Sequence, residues 1–280
     1  MKCKRPGFSV RWQLFIGLAL ISFFLLFVGV SWVWLPHDPA QVELHQRLLP
    51  PNEAHWLGTD HLGRDLLSRV WAGAGWTLGC ALLIMSVSVI LGVAAGLVSG
   101  YLGGRADALF MRIIDSTLAF PDVLIALAIT GLLGPGILNI CLAMIVVKWI
   151  HYARLVRSIV LVEKKKEYIL YARASGTRLR TILFSHLLPQ VQRHVLALST
   201  IDMGKVILMI SAFSYMGLGV QPPTPEWGAL LSEGRTYFQT FPRLMVVPGL
   251  AIFLLVWGFN LVGDALSDRW GSKKTGLEKL

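Results

Sequence analysis

Charged side chains are scarce in this 280-residue chain: Asp, Glu, Lys and Arg make up 15% of it, against about a quarter of an ordinary soluble domain. With 55% apolar residues and a mean hydropathy of +0.62, that shortage excludes a typical soluble fold and points to a multi-span membrane protein. Acids are scarcer than bases, 16 against 26, which leaves a net charge of +10. In a soluble protein such a surplus would suggest nucleic acid. Here the bases lie mostly at the ends of apolar runs and in the loops between them, so membrane topology accounts for them and no nucleic-acid partner is expected. Cysteine is rare too. Cys3, Cys80 and Cys141 show no metal-type pairing, and two of them lie in apolar segments, so no disulfide is expected. There is no G-x-x-x-x-G-K-[ST] phosphate loop, no G-x-S-x-G and no H-E-x-x-H, so nucleotide hydrolysis belongs on another chain and the chain reads as a non-enzyme. A membrane scaffold or a membrane-embedded enzyme is the competing class. An enzyme should bring polar groups together at one depth, whereas those in the apolar segments here are scattered.

What the chain has is apolar length, enough for an all-α membrane protein. Six spans are expected, at about 13–34, 78–101, 117–134, 137–153, 195–218 and 244–263, each able to cross a hydrocarbon core roughly 30 Å thick. Lys2, Lys4, Arg5 and Arg11 ahead of the first run imitate a signal peptide, but no small-residue cleavage site follows, so it reads as a retained span. The basic residues orient the set. Nineteen Lys and Arg fall in the N-terminus, 103–116, 154–193 and 264–280, and only five in 36–77 and 220–243. That bias places both termini and the 154–193 loop in the cytoplasm. The division expected is 1–35 (cytoplasmic N-terminus and first span), 36–77 (an outer loop), 78–263 (a five-helix core) and 264–280 (a cytoplasmic tail). A short amphipathic helix at 62–76 should lead into the second span. Gly92, Gly96 and Gly100 recur every fourth residue and read as a helix-packing face.

The 154–193 loop holds nine bases and two acids, Glu163 and Glu167. Residues 163–174 favour helix, Gly176 permits a tight turn or a close backbone approach, and 179–188 gives a second short helix that Pro189 should end. The result is a hairpin over 163–190.

The outer loop contains His55-Trp56-Leu57-Gly58-Thr59-Asp60-His61-Leu62-Gly63-Arg64-Asp65. This reads as a hydrogen-bonded knot in which Asp60 caps a helix and Arg64 forks onto a carboxylate. His37, His45, His55 and His61 share the loop with Asp60 and Asp65, yet spacings of eight, ten and six residues match no compact metal site. The tract 221–227, with three prolines, is an outer turn near the channel mouth. Ionisable residues inside spans mark interhelix partners or pathways. Asp202 and Lys205, one helical turn apart, either pair or leave Asp202 facing a water-filled path with Met203 or Met209 as a soft metal ligand. Lys148 and His151 should snorkel to the inner interface, and Asp122 should cap or pair there.

Tyr171-Ala172-Arg173-Ala174-Ser175-Gly176, with Leu188-Pro189 following at thirteen residues from Gly176 to the proline, resembles the cytoplasmic loop of ATP-binding-cassette importer permeases. The general pattern reads E-A-A, three residues, G, nine residues, then I-x-L-P. This chain keeps Ala172, Gly176, Leu188 and Pro189, but has Leu170 for the glutamate, Tyr171 for the first alanine and His186 for the isoleucine. Residues 55–65 with Ser68-Arg69, then Asp107, Met111-Arg112, Asp115, Phe120-Pro121, Trp149, Tyr152-Ala153-Arg154 and Arg157 resemble the dipeptide, oligopeptide and nickel permease family. So do Gly217–Val220, Glu226-Trp227-Gly228 and Asn260–Asp264. Among branches, His55-Trp56, Asp60-His61-Leu62 and 260–266 look most like the nickel-type second permease. The resemblance implies a type I importer permease in the bacterial inner membrane, with Tyr171–Gly176, Leu188 and Pro189 coupling to a partner ATPase. It also implies a homologous second permease, two cytoplasmic ATPases carrying ATP and Mg, and an external solute-binding protein. No cofactor on this chain is implied. Nickel or another transition metal, free or chelated, is the implied substrate, and short peptides are the alternative.

Overall fold

The computed structural model describes residues 8–271; Cys3, the basic cluster Lys2, Lys4 and Arg5, and the tail lysines Lys273, Lys274 and Lys279 lie outside the described residues. The all-α expectation holds: the described residues form no β-strand, only an isolated bridge between Thr59 and Asp65. In chain order the helices are α1 (Phe8–Ser31), α2 (Leu66–Leu102), α3 (Gly104–Leu118), α4 (Asp122–Leu133), α5 (Ile137–Glu163), α6 (Glu167–Ala174), α7 (Leu179–Tyr215), α8 (Trp227–Gly234) and α9 (Arg243–Gly271).

Three boundaries differ from expectation, each for a local reason. The helix expected at 62–76 and the span at 78–101 are one 37-residue helix, α2. Asp65 caps it, accepting from the Ser68 backbone N–H and hydroxyl, both at 2.7 Å. No proline follows before Leu102, so nothing stops propagation.

The third span is not a single helix over 117–134. Pro121 lacks an N–H and disfavours helix in the residue before it, so the chain stops at Leu118, restarts at Asp122 and turns by 88°. With 12 residues, α4 reaches about 18 Å and is too short to cross alone. Among the described residues four helices are long and apolar enough to span, Val10–Ser31, Leu66–Leu102, Leu179–Tyr215 and Arg243–Trp270, and the bent pair α3–α4 would make a fifth. The count therefore stands at four or five against the six expected.

Pro189 does not end a hairpin helix. A π-turn over Ile182–Leu187 precedes it, with the Leu188 N–H donating to the Leu183 carbonyl five residues back. The wider turn makes room for the proline ring, a known use of π-bulges, and α7 continues unbroken to Tyr215.

The centre of the fold is the α2–α5 contact. A Cβ added at Gly92 would lie 2.4 Å from Tyr152 Cβ, and one at Gly96 would lie 2.6 Å from the Ala153 carbonyl oxygen. Backbone approach of this kind requires glycine. Tyr152, Ala153, Val156 and Val160 are fully buried there. On the rim, α1 exposes Phe15, Phe23 and Leu26, an apolar surface suited to lipid.

Candidate coupling surface and buried polar clusters

The hairpin begins where α5 ends. Lys164 Nζ donates to the Gly100 and Tyr101 carbonyl oxygens at 2.7 and 3.3 Å, covering the last turn of α2 with a cation, as its dipole favours. The Arg173 guanidinium lies 5.7 Å from the centre of the Tyr101 ring. Glu163 accepts from Lys166 Nζ at 2.6 Å and from the Tyr168 hydroxyl at 3.0 Å. Burial, then that bond to Glu163, pushes the Tyr168 phenol up to about 12.

A Schellman closure ends α6. The Thr177 N–H donates to the Ala172 carbonyl and the Gly176 N–H to that of Arg173, both at 3.0 Å, with Gly176 at φ +75°. Among the described residues nothing lies within 4 Å of a Cβ placed on Gly176, so the turn requires the glycine and no close neighbour among them does. Ile169 is the one buried residue of α6. Leu170, Arg173, Ala174 and Ser175 are exposed, Ala172 is half-buried, and Tyr171 is 71% exposed. Across the turn, Leu188 is half-buried and Pro189 exposed.

Further along α7, Asp202 is buried. It accepts from Lys205 Nζ and from the Tyr152 hydroxyl of α5, each at 3.0 Å. The pairing with Lys205 follows from the sequence spacing. The Tyr152 partner, fifty residues away, carries no local signal. Met203 is buried in the core and Met209 partly buried against it.

Lys148 and His151 turn inward rather than snorkel. Asp122 lies 3.1 Å from Lys148 Nζ and 2.9 Å from His151 Nε2, which ties α4 to α5. Arg157 forks onto Asp107 of α3 at 2.7 and 2.6 Å, a bidentate geometry that fixes orientation.

The 55–65 knot closes through two arginines. Arg64 donates to Asp60 at 2.7 Å and to Glu233 at 2.6 Å, and Arg69 donates to the same two carboxylates at 2.5 and 3.1 Å. Arg64 and Arg69 are 2% and 0% exposed. Burial alone would raise the Asp60 carboxyl, but Arg69 and Arg64, with the N–H groups of Leu62 and Arg64, outweigh it and hold Asp60 below its ordinary value. Burial lowers His61, against the pull of Asp60 and Glu233.

Beyond the proline tract, Glu226 caps α8 through the Ala229 N–H at 3.0 Å and accepts from the Thr77 hydroxyl of α2 at 3.0 Å. Burial raises its carboxyl despite these donors. Trp227 is fully buried and donates to the Val70 carbonyl at 2.8 Å, so the tract is stapled to α2. Glu233 and Thr77 were not foreseen as partners, since nothing near them in sequence indicates these contacts.

Comparison with known proteins agrees with this architecture. The family described as "Binding-protein-dependent transport system inner membrane component" matches residues 92–274. The chain is 40% identical over 264 residues to the nickel transport system permease protein NikC of Escherichia coli, covering 93% of this chain and 94% of that protein. It is 38% identical over 276 residues to the glutathione transport system permease protein GsiD of Pectobacterium atrosepticum, covering 95% and 91%. To the dipeptide transport system permease protein DppC of Alkalihalophilus pseudofirmus it is 37% identical over 253 residues, covering 90% and 83%. The chain belongs to the binding-protein-dependent inner membrane components, the permeases of ATP-binding-cassette importers in the nickel and peptide family.

Proposed function

We propose that this permease forms half of a channel importing nickel or another transition metal, free or chelated. Its partners are a homologous second permease, two cytoplasmic ATPases that bind ATP and Mg, and an external solute-binding protein. Peptide import is the second reading, supported by the dipeptide and glutathione permeases among its relatives. The observation that carries the mechanism is the continuity of α7. One helix runs from the edge of the hairpin, through Pro189, to the Asp202–Tyr152 contact with α5. ATP-driven closure of the ATPase pair would push on Tyr171–Gly176, and α7 would carry that motion to the spans, switching access from outside to inside.

The full topology in this reading has six crossings, counting α5 and the bent pair, with both termini and residues 154–193 cytoplasmic. A Thr177→Cys variant should resist an impermeant thiol reagent in intact cells and react in inverted vesicles; labelling in intact cells would discard the topology. Metal and peptide uptake in a strain lacking only this chain decides the substrate. A translocation path past Asp202, Met203 and Met209 predicts that Asp202→Asn lowers uptake at unchanged protein level. If Asp202 is purely structural, protein level falls first, because the variant strands the Lys205 ammonium, and adding Lys205→Gln restores it.

A further inference from the structure

The loop spacing argues against a compact metal site, but the fold brings together three donors that the sequence separates. His55 Nδ1 lies 3.0 Å from Asp65 Oδ1, and His37 Nδ1 lies 3.9 Å from Asp65 Oδ2. The two imidazole rings are 4.6 Å apart, tilted by 35°, and one donor atom from each of the three residues falls within 4.8 Å of the others. Donors bound at about 2.0–2.2 Å to a common ion stand roughly 3–4 Å apart, so this spacing suits one ion with little movement.

The hydrogen bonds leave both Nδ1 atoms and Asp65 Oδ1 available, while Asp65 Oδ2 is taken by Ser68. Gln46 directs its amide nitrogen to Glu43 at 2.5 Å, which turns its carbonyl toward His55 Nε2 at 2.8 Å. His55 Nε2 is therefore the N–H nitrogen, and in the neutral ring Nδ1 is a lone pair facing a carboxylate. Two acceptors at 3.0 Å require a proton or a cation between them. His37 Nδ1 is buried without a hydrogen-bond partner, while the His37 backbone N–H is held by Ser68 Oγ at 3.1 Å. Asp65 uses Oδ2 to cap α2 and keeps Oδ1 for His55.

We propose that His37, His55 and Asp65 bind a divalent transition-metal ion, clamping the 36–65 segment to the N-terminus of α2. Two imidazoles and a carboxylate suit Ni²⁺, Co²⁺ or Zn²⁺ over Mg²⁺ or Ca²⁺. Three protein donors leave positions for solvent, and the His37 side chain is 39% exposed, so the ion exchanges. The nearby group Asp60, His61 and Glu233 is a poor alternative, because its carboxylates already hold Arg64 and Arg69.

The test uses the full chain assembled with its permease and ATPase partners, without binding protein or ATP, stripped with EDTA and titrated with CoCl₂ and NiCl₂. His37→Phe keeps a ring against His55 and removes both imidazole nitrogens, of which Nδ1 has no hydrogen-bond partner among the described residues, so its metal-free unfolding midpoint should stay near wild type. Wild type should give a visible Co²⁺ ligand-field band and a rise in midpoint with Ni²⁺. His37→Phe should lose the band and bind at least about tenfold more weakly, about 1.4 kcal/mol. Equal binding by both proteins, or no band in wild type, would overturn the site. Binding is read without uptake, so the site and the nickel-import reading stand or fall separately.

Discussion

The outer knot and the cytoplasmic hairpin are both short irregular segments between long helices, yet they are built in opposite ways. In the knot, two buried guanidinium groups pair with two carboxylates, although the fully buried Arg69 keeps its Nε without a hydrogen-bond partner among the described residues. In the hairpin, α6 buries only Ile169 and turns Leu170, Tyr171 and Arg173 outward. The knot consumes its polar groups internally and holds α2 to α8. The hairpin is tied down at its base by Lys164 and Glu163 and leaves the side chains of its tip exposed. One segment buries its charged groups and the other turns its side chains outward.

Four substitutions bear on that contrast. Arg69→Met leaves Asp60 and Glu233 partly uncompensated in a buried site and should cost about 3–5 kcal/mol, seen as a lower unfolding midpoint in detergent and reduced membrane abundance. A midpoint equal to wild type would show the network to be ornamental.

Asp60 and Glu226 should respond to pH with opposite signs. The depressed Asp60 carboxyl contributes stability that is present above its ordinary value of 3.8 and lost as pH falls through the folded value. The raised Glu226 carboxyl makes the folded state hold its proton more tightly, so stability declines as pH rises from the ordinary 4.5 through the folded value. Glu226→Gln should flatten that decline in unfolding midpoints measured across pH; a profile unchanged by the substitution would contradict it.

Gly176→Ala places a side chain at φ +75° with open space around it, costing about 1–2 kcal/mol locally. The chain should still insert, while co-purification with the ATPases falls. Tyr171→Ala should change the midpoint by less than about 0.5 kcal/mol but weaken ATPase association about tenfold, as loss of an exposed aromatic anchor does. Unchanged association would move the contact elsewhere on the hairpin.

Features set by neighbours in sequence were legible beforehand: the Gly176 turn, the Gly92–Gly96–Gly100 face and the Asp202–Lys205 pair. Features set by tertiary closure were not. Tyr152 meets Asp202 only because α2 and α5 pack backbone to backbone beside α7, and His37 reaches His55 only because the loop folds onto the cap of α2. The expectation that Pro189 would stop a helix misjudged the backbone itself, since a π-turn absorbs the ring without ending the helix. Among the candidate site residues, the helix end at Gly176 was legible, whereas the outward position of Tyr171 and Arg173 was not. The burial of Met203 followed from packing that no local pattern announces.

In the proposed mechanism the hairpin tip meets the ATPase and the outer loop does not. Cysteines introduced singly by Tyr171→Cys and His45→Cys, both at exposed side chains, test it in the assembled importer with a short thiol-to-amine cross-linker. An adduct between this chain and an ATPase subunit is expected from position 171 and none from position 45. Absence of the ATPase adduct from Tyr171→Cys, at normal abundance of the complex, would contradict it.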